Sequence, residues 1–206
     1  MDRDTMLKLY GSARSRASRT LWMLAECGVP FEQEDFSTLD AAAKSAVIQR
    51  VNPLGKIPAI EDGDLKLFES MAINLYLAKQ YGGALWPASD ADQARATAWS
   101  FFCMTELEPR MVQIFYERVV RPAAERSETA VQKHWADLQK PLAALNGQLE
   151  GRDYLLGASF TVADLNVASC FTMINRMNLD MSAFPNLQRW LAACYARPAY
   201  TQARPR

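Results

Sequence analysis

The stretch from Asn52 to Ser70 constrains the fold of this chain more than any other. Ala59-Ile60-Glu61 and Leu65-Lys66-Leu67-Phe68 flank Asp62-Gly63-Asp64. An Asp-Gly pair between two apolar runs is a strong short-range signal for a β-hairpin. Pro58 stands immediately before the first of these strands. Proline has no amide to give to a ladder, so it belongs at a strand's first position or at an edge, where a tight approach also suits a cis peptide. In the cis arrangement the backbone of Ile57 points outward and can pair with an extended peptide as a further strand would. Glu69-Ser70 lies where the second strand gives way to a helix that runs to Tyr81 and stops at Gly82-Gly83. A helix start carries unpaired amides and partial positive charge. A carboxylate can therefore be held by the Ser70 amide and hydroxyl while Glu69 attracts an amine, although the same serine also suits a simple helix cap.

Upstream of the hairpin, Leu7 to Tyr10 reads as a strand and Gly11-Ser12-Ala13-Arg14 as a polar loop. From Ser15 the apolar positions Leu21, Leu24, Ala25 and Val29 recur at roughly helical spacing, and Gly28 is placed to end the helix. Phe31 to Phe36 alternates as a strand does. Ala41 to Arg50 reads as a second helix, closed by Asn52-Pro53-Leu54-Gly55. The predicted order over residues 1–82 is therefore β-α-β-α-β-β-α. Residues 83–90 form a linker, and from residue 91 to 206 only helical patterns remain. These predict a long helix to Val120 bent at Pro109, and a helix from Ser127 to Glu150 interrupted at Pro141. Thr161-Val162-Ala163-Asp164 then makes a capping box, with Phe160 and Leu165 as its staple, before a buried helix. The last helix, Asn186 to Ala196, ends before Pro198. The fold class is α/β plus all-α.

Several functions are excluded by composition. Lys and Arg together number 23, as do Asp and Glu, so there is no net positive field to hold a polyanion and no long basic run, and nucleic acid is not an expected partner. No apolar stretch reaches the length of about 20 residues that a membrane-spanning helix needs, and the first residues lack the apolar run of a secretion signal, so the expected address is the cytoplasm. Cys27, Cys103, Cys170 and Cys194 are widely spaced, no C-x-x-C is present, and His134 is the single histidine. That pattern predicts neither a metal centre nor a disulfide framework, but four cysteines that act as small buried hydrophobes.

Ser15 closes the loop after the first strand. A hydroxyl at that position can donate a hydrogen bond to a sulfur anion while the helix end adds a favourable field. A thiol of pKa about 8.5 is only about 3% ionised at neutral pH, and lowering it by about two units takes about 2.7 kcal/mol of preferential stabilisation of the thiolate. One hydrogen bond to a charged acceptor, about 1.5 to 3 kcal/mol, together with a helix terminus at about 0.3 to 1, supplies that amount. Ser12 and Ser18 compete for the same role, and local sequence alone does not choose among the three.

Two long segments carry a family resemblance: Leu9 through Arg19, and Asn52-Pro53-Leu54-Gly55-Lys56-Ile57-Pro58-Ala59-Ile60-Glu61-Asp62-Gly63-Asp64 through Ser70. Together they resemble the cytosolic glutathione transferases, in particular the serine-type classes such as phi and theta. The likeness continues in Phe160-Thr161-Val162-Ala163-Asp164 and in Phe184-Pro185-Asn186 to Arg197-Pro198-Ala199, so it covers nearly the whole chain. The resemblance implies a thioredoxin-like N-terminal domain followed by a helical bundle, with glutathione as co-substrate and no metal.

It further implies that Ser15 activates the glutathione thiol and that the backbone of Ile57, next to a cis Pro58, pairs with the cysteinyl unit. Glu69 and Ser70 then hold the γ-glutamyl end, and Lys56 contacts the tripeptide. Lys44 or Gln49 is the candidate for the glycyl carboxylate, outside any firm motif. The implied activity is conjugation of the thiolate to a small, hydrophobic electrophile in detoxification, with peroxidase or dehalogenase chemistry as a variant. The alternative is a non-catalytic, regulatory binding protein of the same fold. The electrophile pocket is expected between the domains, with walls from the loop Ser12 to Arg14 and from the long helix bearing Trp99, Phe102, Cys103, Glu106 and Tyr116, and the implied assembly is a homodimer. No cysteine lies near Ser15 and no Ser-Ser-Cys pattern is present, which argues against a mixed disulfide with the protein and against isomerisation of the zeta type.

Overall fold

Leu7, Leu9, Tyr10, Ala59 and Ile60 are all buried, and they form the middle of a four-stranded sheet in the computed structural model, which describes residues 6–36 and 46–203. The strands are β1 (Leu7–Tyr10), β2 (Phe31–Glu34), β3 (Ala59–Asp62) and β4 (Leu65–Phe68), in the order β2-β1-β3-β4. β1 and β2 run parallel, connected through α1 (Ala17–Cys27), whereas β3 and β4 are each antiparallel to their neighbour. The hairpin predicted at Asp62-Gly63-Asp64 forms, with Asp62 paired to Leu65. Gly28 ends α1 at φ 63, its amide donating to the Leu24 carbonyl. β2 is shorter than the alternation predicts, because Phe36 turns the chain out of extended conformation at φ 48 and stacks on Tyr10 with ring centroids 6.1 Å apart. Of the helix predicted over 41–50, residues 41–45 lie outside the described residues and 46–48 are helical. α2 (Ser70–Tyr81) completes the predicted order.

The described chain divides into two compact units, one running to Trp86 and resumed from Ala196, the other Pro87–Tyr195. The sequence groups everything after residue 91 into one helical part. The difference lies in the closing segment: Arg197 makes two 2.6 Å bonds to the buried Glu26 carboxylate on α1, and Tyr200 sets its ring edge-on to Trp22 at 4.8 Å. A nearly dehydrated carboxylate needs such a partner, and no periodicity could announce one so far along the chain.

The second unit contains α3 (Asp90–Phe102), α4 (Glu108–Phe115), α5 (Glu128–Gln148), α6 (Val162–Cys170) and α7 (Pro185–Tyr195). Pro109 has no N–H for the Thr105 carbonyl four residues back. The chain answers with a widened π-turn over Cys103–Leu107, and Arg110 Nη1 donates to the Thr105 and Glu106 carbonyls at 3.1 and 2.8 Å. At Pro141 the predicted interruption does not occur. α5 runs through it, held by the buried row Leu138, Leu142 and Leu145. α6 is buried along its whole length, and Asp164 in its first turn accepts from the amides of Leu155 at 2.8 Å and Thr161 at 2.9 Å and from Trp190 Nε1 at 2.9 Å. Burial pushes this carboxyl above the ordinary carboxylate range while those bonds pull it down.

Replacing Asp164 by Ala strands three buried donors and removes the acid half of the capping box of α6. We expect a loss of about 3 kcal/mol or more in urea unfolding, where a solvated cap would cost about 1 kcal/mol.

Candidate active site

Tyr10 pairs with Ala59, and Ala59 pairs with Phe68, so these three residues form one row across the sheet. The chain leaves that row on a single side: Gly11 to Ser15 after β1, Ile57-Pro58 before β3, and Glu69-Ser70 after β4. Ser15, Lys56, Ile57, Pro58, Glu69 and Ser70, separated by up to 55 positions in sequence, thus all border one end of one sheet.

Gly11 brings the first two of these segments together. Its φ is 136°, and an ideal Cβ built on it would lie 2.7 Å from Ala17 Cβ and 3.3 Å from Ile57 Cβ. Only glycine fits there, since the backbone angle and the space both refuse a side chain. The loop is fixed further by the Gly11 amide on the Glu34 carbonyl at 2.9 Å and by Gln33 Nε2 on the Gly11 carbonyl at 2.8 Å.

Ser15 does not cap α1, as its place at a predicted helix start suggests. The helix begins two residues later, because the loop first closes a tight turn in which the Ser15 amide meets the Ser12 carbonyl at 3.0 Å. The half-buried Ser15 hydroxyl donates to the same Ser12 carbonyl at 2.8 Å and accepts from the Ala17 amide at 3.1 Å. Its one proton can be redirected by rotation about Cβ–Oγ. Tyr10, the phenol nearest in sequence, is committed elsewhere: it donates to Glu61, and burial together with that carboxylate holds it protonated far above the usual phenol range.

The peptide bond Ile57–Pro58 is cis, and the ladder starts only at Ala59, which leaves Ile57 outside the sheet pairing. The preceding loop is shaped by buried Asn52, whose Oδ1 accepts from the Leu54 amide at 3.0 Å and whose Nδ2 donates to the Lys56 carbonyl at 2.7 Å. Lys56 itself is exposed. Gln49 lies over this loop, its Nε2 3.9 Å from the position of a Cβ on Gly55, whereas Lys44 falls outside the described residues.

Glu69 occupies the cap position of α2 at φ 71, ψ 110, with no side-chain cap bond. For a residue other than glycine such a conformation costs about 1 to 3 kcal/mol, and strain of this kind gathers at functional positions. It leaves the Glu69 carboxylate exposed and puts Ser70, not Glu69, at the first helical position. Ser70 is buried, and its hydroxyl receives Arg19 Nη1 at 3.4 Å.

Arg19, Asn52 and Gln33 are the residues to which sequence reasoning assigned no role. Asn52 had a visible signal, an asparagine two residues before the amide it binds, in a Pro-Gly loop. Arg19 and Gln33 join segments far apart in sequence and had none. The cysteines take no part: Cys103, Cys170 and Cys194 are buried, and burial, with Glu26 beside it, pushes the Cys27 thiol up to about 11. Among the described residues no group of His, Cys, Asp or Glu side chains is arranged to hold a metal ion.

Residues 5–79 match the glutathione S-transferase N-terminal domain, and residues 92–198 match the glutathione S-transferase C-terminal domain. The chain belongs to the glutathione S-transferase family. It is 32% identical to a glutathione S-transferase of Hyoscyamus muticus over 96% of this chain and 97% of the relative. With glutathione S-transferase 3 of Zea mays the identity is 34%, over 94% of this chain and 91% of the other. Among solved structures, the theta class glutathione S-transferase of Xanthomonas axonopodis pv. citri with glutathione bound superposes with a TM-score of 0.87 at 28% identity, covering 96% of each chain. No helix of the described residues is long and apolar enough to cross a membrane.

The close approach at Gly11 gives a direct test of this transferase-family site. Gly11→Ala should cost about 3 kcal/mol, combining a forbidden backbone angle with overpacking against Ala17, as read from the urea midpoint. An unchanged midpoint would mean that the loop does not depend on this contact.

Proposed function

We propose that the protein is a serine-type glutathione transferase in which Ser15 stabilises the glutathione thiolate for attack on an electrophilic carbon of a small, hydrophobic molecule. The observation that carries this reading is the common origin of the site segments at the row Tyr10–Ala59–Phe68. An extended tripeptide laid along that edge meets a backbone outside the ladder at Ile57, a helix start at Ser70 and a hydroxyl at Ser15. These three features complement its cysteinyl amide groups, its γ-glutamyl carboxylate and its sulfur.

In this reading the glutathione sulfur docks near Ser15 Oγ, and the hydroxyl turns from the Ser12 carbonyl to the sulfur. The Ala17 amide, already on Oγ, polarises the O–H bond and strengthens that donation. The thiol proton passes to solvent. The Ser70 amide at the head of α2 and the Ser70 hydroxyl hold the γ-glutamyl carboxylate, and Arg19 behind that hydroxyl adds positive charge where the anion sits. The exposed Glu69 carboxylate faces the α-amine, and Lys56 meets the tripeptide from the neighbouring loop. The electrophile lies over the loop Ser12 to Arg14. Rate enhancement comes from thiol ionisation and from holding two reactants together, with no covalent intermediate on the enzyme. The same reading makes the protein a cytoplasmic homodimer acting in detoxification, on the pattern of its family.

Ser15→Ala removes the donor to sulfur. It should lower kcat/KM for conjugation of a chloronitrobenzene by about 30- to 100-fold near pH 7, which corresponds to about 2 to 2.7 kcal/mol. The deficit should shrink as pH rises through the free-thiol pKa of about 8.5, where the donor is no longer needed to ionise the sulfur. Conjugation by Ser15→Ala at the parent rate would show that another group, Ser12 or Ser18 first, does the work.

A further inference from the structure

We infer that Arg14 selects electrophiles that carry an anionic group, so that the preferred second substrate is an acidic, carboxylate-type molecule in preference to its neutral counterpart. This inference rests on the transferase reading above.

The segment Gly11 to Arg19 contains Arg14, Arg16 and Arg19 and no acidic residue, and α1 has no acid in its first turn. The arginines differ in what surrounds them. Arg19 is buried on Ser70, and Arg16 has other interactions. Arg14 is exposed immediately before Ser15, and among the described residues its guanidinium has neither a carboxylate within ion-pair distance nor a hydrogen-bond acceptor.

Several acids of the same unit are engaged elsewhere, and the others among its described residues, Glu32, Asp35, Asp64 and Glu69, make no ion pair with Arg14. Glu34 pairs with Lys8 at 3.8 Å, Glu61 takes Lys66 at 3.6 Å and the Tyr10 phenol, Glu26 takes Arg197, and Asp62 accepts from Tyr76 and Tyr81. Lys56, another exposed cation at this end of the sheet, is assigned to the tripeptide, and Arg16, also exposed, has interactions of its own. Arg14 is therefore a permanent positive charge one residue from Ser15, the proposed donor to the thiolate, on the loop over which the electrophile lies, and the described structure supplies no counter-ion for it. Such a charge raises the local concentration of anions, and its planar fork suits a carboxylate in two-point contact.

The relevant reaction is aromatic substitution: the thiolate sulfur forms a C–S bond to the ring carbon, the C–Cl bond breaks and chloride leaves with the electron pair. A carboxylate elsewhere on the ring takes no part in bond making and serves only as the handle.

The test compares 4-chloro-3,5-dinitrobenzoate with its methyl ester, each enzymatic kcat/KM being divided by the rate constant of the uncatalysed reaction with glutathione. The parent protein should favour the acid by about tenfold, the scale of one charge-assisted contact at a partly solvated rim. Arg14→Gln should bring the ratio of acid to ester close to one, and Arg14→Lys should keep part of it. Added salt at about 0.5 M should reduce the parent's ratio, because the Debye length then falls to about 4 Å. An acid-to-ester ratio near one in the parent, or a ratio unchanged in Arg14→Gln, overturns the inference and leaves the transferase reading standing. Failure of the parent to conjugate either compound above the uncatalysed rate removes both.

Discussion

The close approach of Gly11 to Ala17 and Ile57 is the constraint on which the rest of the site depends. Without a side chain at that point, the end of β1 can turn at φ 136 and run against the start of α1 and the loop before β3. Any Cβ there would push the loop bearing Ser15 away from the backbone of Ile57. Gln33 and Glu34 of the neighbouring strand then clamp Gly11 from the other side, through its carbonyl and its amide. A site built this way sits on the sheet itself: the loop is short, it leaves a ladder residue at Tyr10 and enters α1 at Ala17, and the Ser15 hydroxyl is held from two directions.

The second fixed point is Arg19. Its side chain leaves α1 one turn after Ser15 and reaches the hydroxyl of Ser70, so the helix that follows Ser15 is also bonded to the turn after β4, where Glu69 and Ser70 stand. Glu69 pays for this arrangement in backbone strain, at φ 71, and in return presents its carboxylate to solvent beside the first amide of α2. The Glu26–Arg197 pair and the contact of Trp22 with Tyr200 then brace the far end of α1 with the closing segment of the chain. One helix thus carries Ser15 before it, Arg19 in its first turns and Glu26 in its last.

Much of this was legible in the sequence wherever the cause is local. The Asp62-Gly63 hairpin, the stop at Gly28 and the capping box of Asp164 depend on residues within a few positions of one another, and all three form. Lys56, Ile57, Pro58, Glu69 and Ser70 stand in motifs visible in the sequence, and the strand register brings them to one edge. The departures have causes that a local pattern does not contain. Ser15 falls before the helix because the tight turn to Ser12 takes the first residues. α5 passes through Pro141 because tertiary packing on Leu138 and Leu142 outweighs a lost hydrogen bond, and Pro109 is absorbed by a π-turn and by Arg110 instead of a simple bend. The return of residues from Ala196 to the first unit, and the roles of Arg19 and Gln33, rest on partners many positions away.

The chemistry that follows is economical in parts: a hydroxyl with one movable proton, an amide that polarises it, and helix ends and cations that favour anions over neutral forms. All of these parts, in the role proposed for Ser15, serve to lower the pKa of the glutathione thiol. The most direct measurement is a pH titration of the ultraviolet thiolate absorbance of glutathione bound to the protein, set against free glutathione. Ionisation about two units below the free value of about 8.5 is expected; a bound thiol that titrates at its free value overturns the role proposed for Ser15.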